Sequence, residues 1–132
     1  MAQSKGIELV VVTPERQVLS QTVHSVVIPA HDGELGVLPG RASLMCELGI
    51  GQLRYSDAAG EHRLFIDGGF AQVHQNSVAV LTTRALSSGE ITDDLIRGEE
   101  SAESGAAARP AAQRQLAHRR VSVMRALRPT RR

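Results

Sequence analysis

Lysine is almost missing from this sequence: Lys5 stands alone beside fourteen arginines, and Gly6 follows it rather than Ser or Thr. A phosphate loop of the Gly-Lys-Ser/Thr kind is therefore absent, and a Schiff-base lysine is not expected. Tryptophan is absent too, and the aromatic share is 2%. The core must be built from Val, Ile, Leu and Ala. Tyr55, Phe65 and Phe70 all fall in predicted strands, which leaves a nucleic-acid binder without stacking side chains. Cys46 is the sole cysteine, so these residues hold no intrachain disulfide and no thiolate zinc site. That usage fits a reducing compartment, and within Leu44 to Leu48 the thiol reads as a small buried hydrophobe. The histidines at 24, 31, 62, 74 and 118 never stand three or four apart, and no metal site is expected. No apolar run approaches the ~18 residues of a membrane span, and no signal peptide is visible. The expectation is a soluble, cytoplasmic protein, peripheral if it works at a membrane, with no direct membrane insertion.

Acidic residues are missing from the C-terminal end. All 14 lie at or before Glu103, where they face 7 basic residues for a net charge of −7. The other 8 arginines lie in 109–132 with no acid among them, giving +8. Such a split suggests two units with different partners. A chain of 132 residues has room for one domain with a real core plus a small appendage. The basic end suits nucleic acid, anionic lipid or an acidic protein face, and charge alone does not choose among them.

What is present first is a succession of strand signals. The β-branched run Ile7 to Thr13 stops at Pro14, and Val18 to Val23 and Ser25 to Ile28 follow. Pro29 fixes φ and withholds an amide, so the ladder is expected to stop there. Asp32-Gly33 supplies a tight turn, and Pro39-Gly40 a second. Between them Leu35 to Leu38 is read as an apolar segment held in an exposed corner, a shaped docking edge. Ser43 to Leu48 is a short strand closed by Gly49-Ile50-Gly51, and Gln52 to Ser56 is another. Asp57 to Gly60 is a hairpin loop leading to His62–Asp67, and Gly68-Gly69 marks a bulge or close approach before Phe70 to His74. Gln75-Asn76 turns the chain into Ser77 to Thr83. Strands this closely spaced predict an antiparallel sandwich or barrel, without the helical crossovers of a parallel sheet.

After Arg84 the pattern becomes helical, with Ser87 to Glu90 as a hinge-like connector. Thr92 caps a predicted helix with Asp93 and Asp94 in its first turn, favourable at the positive end of the dipole. Gly98 and Gly105 interrupt and weaken it. Pro110 opens a second helix with Ala112, Leu116, Val123 and Leu127 on one side, Met124 adjoining, and Arg120 intruding. The sequence thus divides into a β-sandwich domain at 1–86 and a C-terminal α-helical hairpin at 87–132.

Catalytic chemistry has no foothold here. Ser25, His31 and Asp32 lack a nucleophile elbow, and Asp32 with Glu34 read as a solvated turn rather than an acid–base pair. No active site and no cofactor are expected. Two classes remain: a coupling or docking subunit, and a free-standing sandwich with a basic nucleic-acid-binding tail.

Ile28-Pro29 followed by Asp32-Gly33-Glu34-Leu35-Gly36-Val37-Leu38-Pro39-Gly40 resembles the signature of the ε subunit of rotary ATP synthases. The similarity runs in order through Leu48-x-x-Gly51-x-Leu53, Asp67-Gly68-Gly69-Phe70 and Asn76-x-Val78-x-Val80-Leu81-Thr82-x-x-Ala85, over roughly residues 6 to 86. The ordered set decides for the docking subunit and against nucleic acid. The resemblance implies a sandwich followed by a helical hairpin, in a non-catalytic central-stalk subunit of a bacterial proton-translocating F-type enzyme. That subunit binds γ, sits against the c-subunit ring and lies peripherally at the cytoplasmic face of the inner membrane. It places the docking residues at Asp32, Gly33, Glu34, Leu35, Gly36, Pro39, Gly40 and Arg41. Glu34 falls where the family meets the polar loops of the c ring, and Arg41 stands where many members have His. The hairpin of bacterial relatives extends toward the catalytic α and β subunits and inhibits ATP hydrolysis, which assigns that role to Arg114, Arg119, Arg120, Arg125 and Arg128. Some relatives bind ATP through Ile/Leu-Asp-x-x-Arg-Ala. Here Asp94 and Arg97 match, but Asp93 precedes them and Gly98 replaces Ala, so the motif is incomplete and ATP is not expected as a ligand.

Overall fold

Along two of the strands the side chains that face the core change parity part-way. Residues Leu44–Asp57 form β5 and Gly60–His74 form β6. In β5 the core takes Leu48 and the partly buried Leu44 and Cys46, then Leu53 and Tyr55, so even positions give way to odd. In β6 it takes Leu64 and Ile66, then Ala71 and Val73. Both reversals occur at one level of the ribbon, between the paired residues Leu48–Gly69 and Ile50–Asp67. Gly68 and Gly69 have φ of +72° and +109°, which a side chain would strain. A Cβ on Gly69 would overlap the carbonyl oxygen of Leu81 and stand 2.8 Å from Thr82 Cα. The two long strands turn over here and pass from one layer to the other, the way sandwich corners are made.

This computed structural model describes residues 6–105 and 111–127. The remaining strands are β1 Ile7–Val12, β2 Gln17–Val23, β3 Ser25–Ala30, β4 Gly33–Val37, β7 Ser77–Leu81 and β8 Ala85–Ser87. One continuous ladder runs β2-β1-β7-β6-β5-β3-β4, with β8 paired to β6. Because β5 and β6 cross over, it folds into two layers. The first holds β2, β1, β7, the end of β6 and the start of β5; the second holds β8, the start of β6, the end of β5, β3 and β4. Leu9, Val11, Ile28, Leu53, Ile66 and Val80 fill the space between them. Cys46 packs against this core, and burial, with Asp32 nearby, pushes its thiol above the ordinary value. Expected from the sequence as a small buried hydrophobe, Cys46 packs against the core but is only partly buried.

Several expectations are corrected. β3 does not stop at Pro29 but runs to Ala30, pairing Pro29 with Glu34 of β4. On its other side the β3–β5 register shifts between Val27 and Ala30, so the missing amide coincides with an irregularity. Residues Leu35 to Leu38 are not an exposed corner: Val37 is buried and Leu35 packs against the core, leaving Leu38 outside. The two short strands at 43–56 are one: Leu48 and Ile50 keep partners on β6 on either side of Gly49, and Gly51 lies where a Cβ would stand 2.8 Å from Pro29 Cβ. One pair, β1 with β7, is parallel. The chain reaches it through the whole intervening sandwich, so no helical crossover is required.

Outside the second layer lie α1, Asp93–Gly105, and α2, Ala111–Leu127. Thr92 caps α1 as expected, its Oγ1 accepting from Leu95 N–H at 3.2 Å. Gly98 does not interrupt α1. Pro110 lies outside the described residues. The buried stripe of α2 is Ala117, Val121, Met124 and Leu127, while Ala112 and Leu116 are exposed. Arg120, beside the stripe, finds an acid on the sheet in Asp67. Ile50, Phe65, Ile91, Ile96, Met124 and Leu127 form this second core. Burying side chains such as Met124 and Leu127 contributes about 1.5–3 kcal/mol each.

Two predictions follow from the ribbon. Gly69→Ala should cost at least about 2 kcal/mol in urea unfolding, through overlap and positive φ together; a neutral result would mean the crossing relaxes freely. At the β5–β6 loop Asp57 accepts from Ala59 N–H at 2.9 Å and Gln21 Nε2 at 2.7 Å, and meets His62 Nε2 at 3.0 Å. The His62 bond first, then those from Ala59 and Gln21, hold its carboxyl below the usual range. A depressed folded-state pKa gives stability that is present above the ordinary aspartate value and lost as pH falls through the lowered one. Asp57→Asn should therefore flatten the acid limb of a stability–pH curve, and an unchanged limb would count against the linkage.

Candidate functional site

The predicted docking edge is the outer strand of the second layer. The β3–β4 turn is formed by His31 and Asp32, one residue earlier than the expected Asp32-Gly33, and Gly33 opens β4 at φ +142°. Glu34, the second residue of β4, pairs with Arg54 at 3.0 Å while remaining 60% exposed. Leu35 turns inward and Gly36 is exposed. Beyond β4, Leu38, Pro39, Gly40 and Arg41 are exposed and line a shallow cleft with Gly36. Gly40, at φ +87°, donates its N–H to Asn76 Oδ1 at 2.7 Å, and Arg41 N–H reaches Leu38 O at 3.2 Å. Most of the set is thus exposed along one edge, with Leu35 as its inward anchor.

A second surface was not singled out from the sequence. On the outer face of the first layer Phe70 and Leu81 are cross-strand partners, each 56% exposed, and Met45 is 66% exposed nearby. Half-buried Val10, Val12 and Ala79 lie on the same face, through the pairs Val12–Leu81 and Val10–Ala79. Apolar side chains clustered on an open sheet face mark an interaction site more than an isolated exposed leucine does. The signal was available: a two-residue turn at Gln75-Asn76 sets Phe70 opposite Leu81, and inward Ala71, Val73, Val78 and Val80 leave both pointing out.

The helical arginines are engaged by the chain itself. Arg120 Nε donates to Asp67 Oδ2 at 2.9 Å, and Arg119 Nε donates to the Ile50 carbonyl. Arg125 pairs with Glu100 of α1, and His118 Nδ1 stands 2.7 Å from Glu103 Oε2. Arg114 is exposed near the start of α2, and Arg128 lies outside the described residues. Asp94 and Arg97 pair with each other on the exposed side of α1. Two predicted sets assigned to separate units meet in a cleft of about 370 Å³, where His31, Gly33 and Glu34 face Arg119. Sequence reasoning also missed Asp67 and Arg84, whose partners lie far along the chain.

Among the described residues no three His, Cys, Asp or Glu side chains converge, and no helix is long and apolar enough to cross a membrane. The arrangement offers surfaces for protein contact. Because the Glu34–Arg54 pair is solvent-facing, Glu34→Gln should change thermal stability by less than about 1 kcal/mol. A larger loss would show that this carboxylate supports the fold rather than remaining available to a partner.

Residues 6–88 match the family model described as the ATP synthase delta/epsilon chain, β-sandwich domain. An ATP synthase epsilon chain from Rhodopirellula baltica is 51% identical over 81 residues, which span 61% of this chain and 63% of that one, under two thirds of the relative's length. The epsilon chain of Desulforapulum autotrophicum is 37% identical over 121 residues, 91% of this chain and 83% of its own. That of Syntrophobacter fumaroxidans is 40% identical over 114 residues, 86% and 78%. Among solved structures, a chain of the Euglena gracilis mitochondrial ATP synthase (OSCP/F1/c-ring) superposes with a TM-score of 0.73 at 24% identity, covering 96% of this chain and 82% of that one. A chain of the Tetrahymena thermophila mitochondrial enzyme (central stalk/c-ring) gives 0.59 at 15%, covering 92% and 99%. At those identities the likeness is one of fold, while the family match spans most of the chain and the curated relatives carry it into the helices. The chain belongs to the epsilon-chain family of the ATP synthases.

Proposed function

We propose that this epsilon chain is a non-catalytic coupling part of the central stalk of a proton-translocating ATP synthase. It works as a peripheral subunit at the cytoplasmic face of a bacterial inner membrane, with no cofactor of its own. The observation that carries the reading is the open apolar face around Phe70, Leu81 and Met45, on the side of the sandwich away from the helices. A γ subunit is the proposed occupant of that face. The edge from Asp32 to Arg41 is proposed to meet the c-subunit ring, with Glu34 and Arg41 as its charged contacts. A rigid edge bounded by turns keeps its shape under load, which a torque-bearing contact requires. The assemblies that hold the fold neighbours, described as OSCP/F1/c-ring and central stalk/c-ring, favour the same placement.

The basic second helix is proposed to slow ATP hydrolysis by meeting acidic segments of the α and β subunits through Arg114, Arg119, Arg120, Arg125 and Arg128. The test uses a reconstituted catalytic head with γ. Full-length protein should slow hydrolysis, whereas a 1–87 truncation should bind γ without slowing it. Phe70→Ser with Leu81→Ser should weaken γ binding by at least about tenfold, the scale of central apolar anchors at an interface. If neither the full-length chain nor the truncation binds γ, the stalk reading fails.

A further inference from the structure

Glu34 stands on the edge strand β4, yet the arginine that holds it comes from β5, two strands inward. Val27 of β3 is the cross-strand partner of Arg54, and Pro29, two residues on, is the partner of Glu34. Arg54 therefore runs diagonally over β3, across two strand spacings of ~4.8 Å each. Its Nη2 then donates to Glu34 Oε1 at 3.0 Å. The direction has a cause. Arg63 is the direct partner of Arg54 on the other side, and like charges placed opposite one another repel. Arg63 turns to Gln52 Oε1 at 3.3 Å and to Glu61 at 3.7 Å, which leaves Arg54 to cross toward β4. Arg54 Nε is enclosed and, among the described residues, has no hydrogen-bond partner. An enclosed donor left unpaired is unfavourable for the fold, and such exceptions collect at functional positions. The Arg54 side chain is 31% exposed against 60% for Glu34, so the anchor is more enclosed than the group it holds.

We propose that Arg54 is a positioning residue for Glu34: it fixes Oε1 of the carboxylate and leaves Oε2 to accept from a donor on a c-subunit loop. This rests on the c-ring reading of the edge proposed above. A free glutamate loses side-chain freedom when a partner captures it, and a carboxylate already held gives up less. The planar guanidinium suits the task because its fork is preorganised. Being solvent-facing, the pair adds little to the fold, and its contribution is realised at the contact. Charge alone gives the opposite sign. The group that meets Glu34 is a donor, basic or neutral, so a positive charge beside Glu34 repels a basic partner and does nothing for a neutral one.

The test measures binding of the full-length chain with γ to a purified c-subunit ring in detergent, at fixed salt. Arg54→Gln should weaken binding about fivefold, the scale of one long side chain left to be ordered at an interface. Glu34→Gln should weaken it at least as much. The double variant should be no weaker than Glu34→Gln alone, because Arg54 acts through that carboxylate. All three should melt close to the unaltered chain. Unchanged or tighter binding by Arg54→Gln, with Glu34→Gln weakened, would overturn the positioning role and leave the c-ring reading standing. Additive losses would make Arg54 an independent contact, and melting lowered in step with binding would make it a part of the fold; either overturns the inference. If Glu34→Gln binds the ring unchanged, the c-ring reading of this edge fails and the positioning role fails with it.

Discussion

The structure depends on a backbone constraint in one ribbon. Where β5 and β6 exchange their inner and outer faces, Gly68 and Gly69 take positive φ, and Gly69 lies against the Leu81–Thr82 backbone with no room for a side chain. Without that crossing the eight strands would be one long sheet with a single apolar face. With it the sheet closes on itself, and each layer acquires an outer face of a different character. One presents Phe70, Leu81 and Met45 to solvent; the other presents Ile50 and Phe65 to the helices. The segregation of surfaces in this epsilon chain, an accessory subunit of ATP synthase, follows from where the ribbon turns over.

Electrostatics are arranged across that same division. The acids of the first hundred residues and the arginines of the last helix are complementary within the chain, as Asp67 with Arg120 and Glu100 with Arg125 show. A basic helix read alone looks like a handle for something external. Seen against the sheet, it already has a partner, and an external acid would enter as a competitor. Burial decides which pair carries weight: Asp67 is largely enclosed, whereas Arg125 is half in solvent and its pair is correspondingly weak.

Much of this was legible in the residues. Turn chemistry at Asp57 to Gly60 and Gln75-Asn76 gave the two hairpins, because Gly and Asn tolerate the required backbone. Thr92 with Asp93 and Asp94 gave the start of α1, since capping is local. The failures share a cause, which is that the deciding partner is distant in sequence. Pro29 looked like a terminator because the β5 irregularity beside it cannot be read locally. Gly49 and Gly51 looked like an ending for the same reason. On α2, Leu116 and Ala117 both suit an apolar stripe, and only the packed structure shows that Ala117 is buried and Leu116 exposed. The docking edge could be located from its glycines and prolines. Asp67 as a meeting point of two arginines could not, since Arg84 and Arg120 lie 17 and 53 positions away.

Asn76 has a mechanical meaning beyond its turn. Its left-handed backbone, at φ +61°, lets its carbonyl accept from Glu8 N–H at 2.8 Å while its side chain holds Gly40 N–H. One residue therefore joins β1, the β6–β7 tip and the corner after β4. A sideways force on the Pro39-Gly40 corner does not bend that corner alone. It is shared at once with the first layer as shear between two sheets, and a sandwich resists shear far better than a loop resists bending.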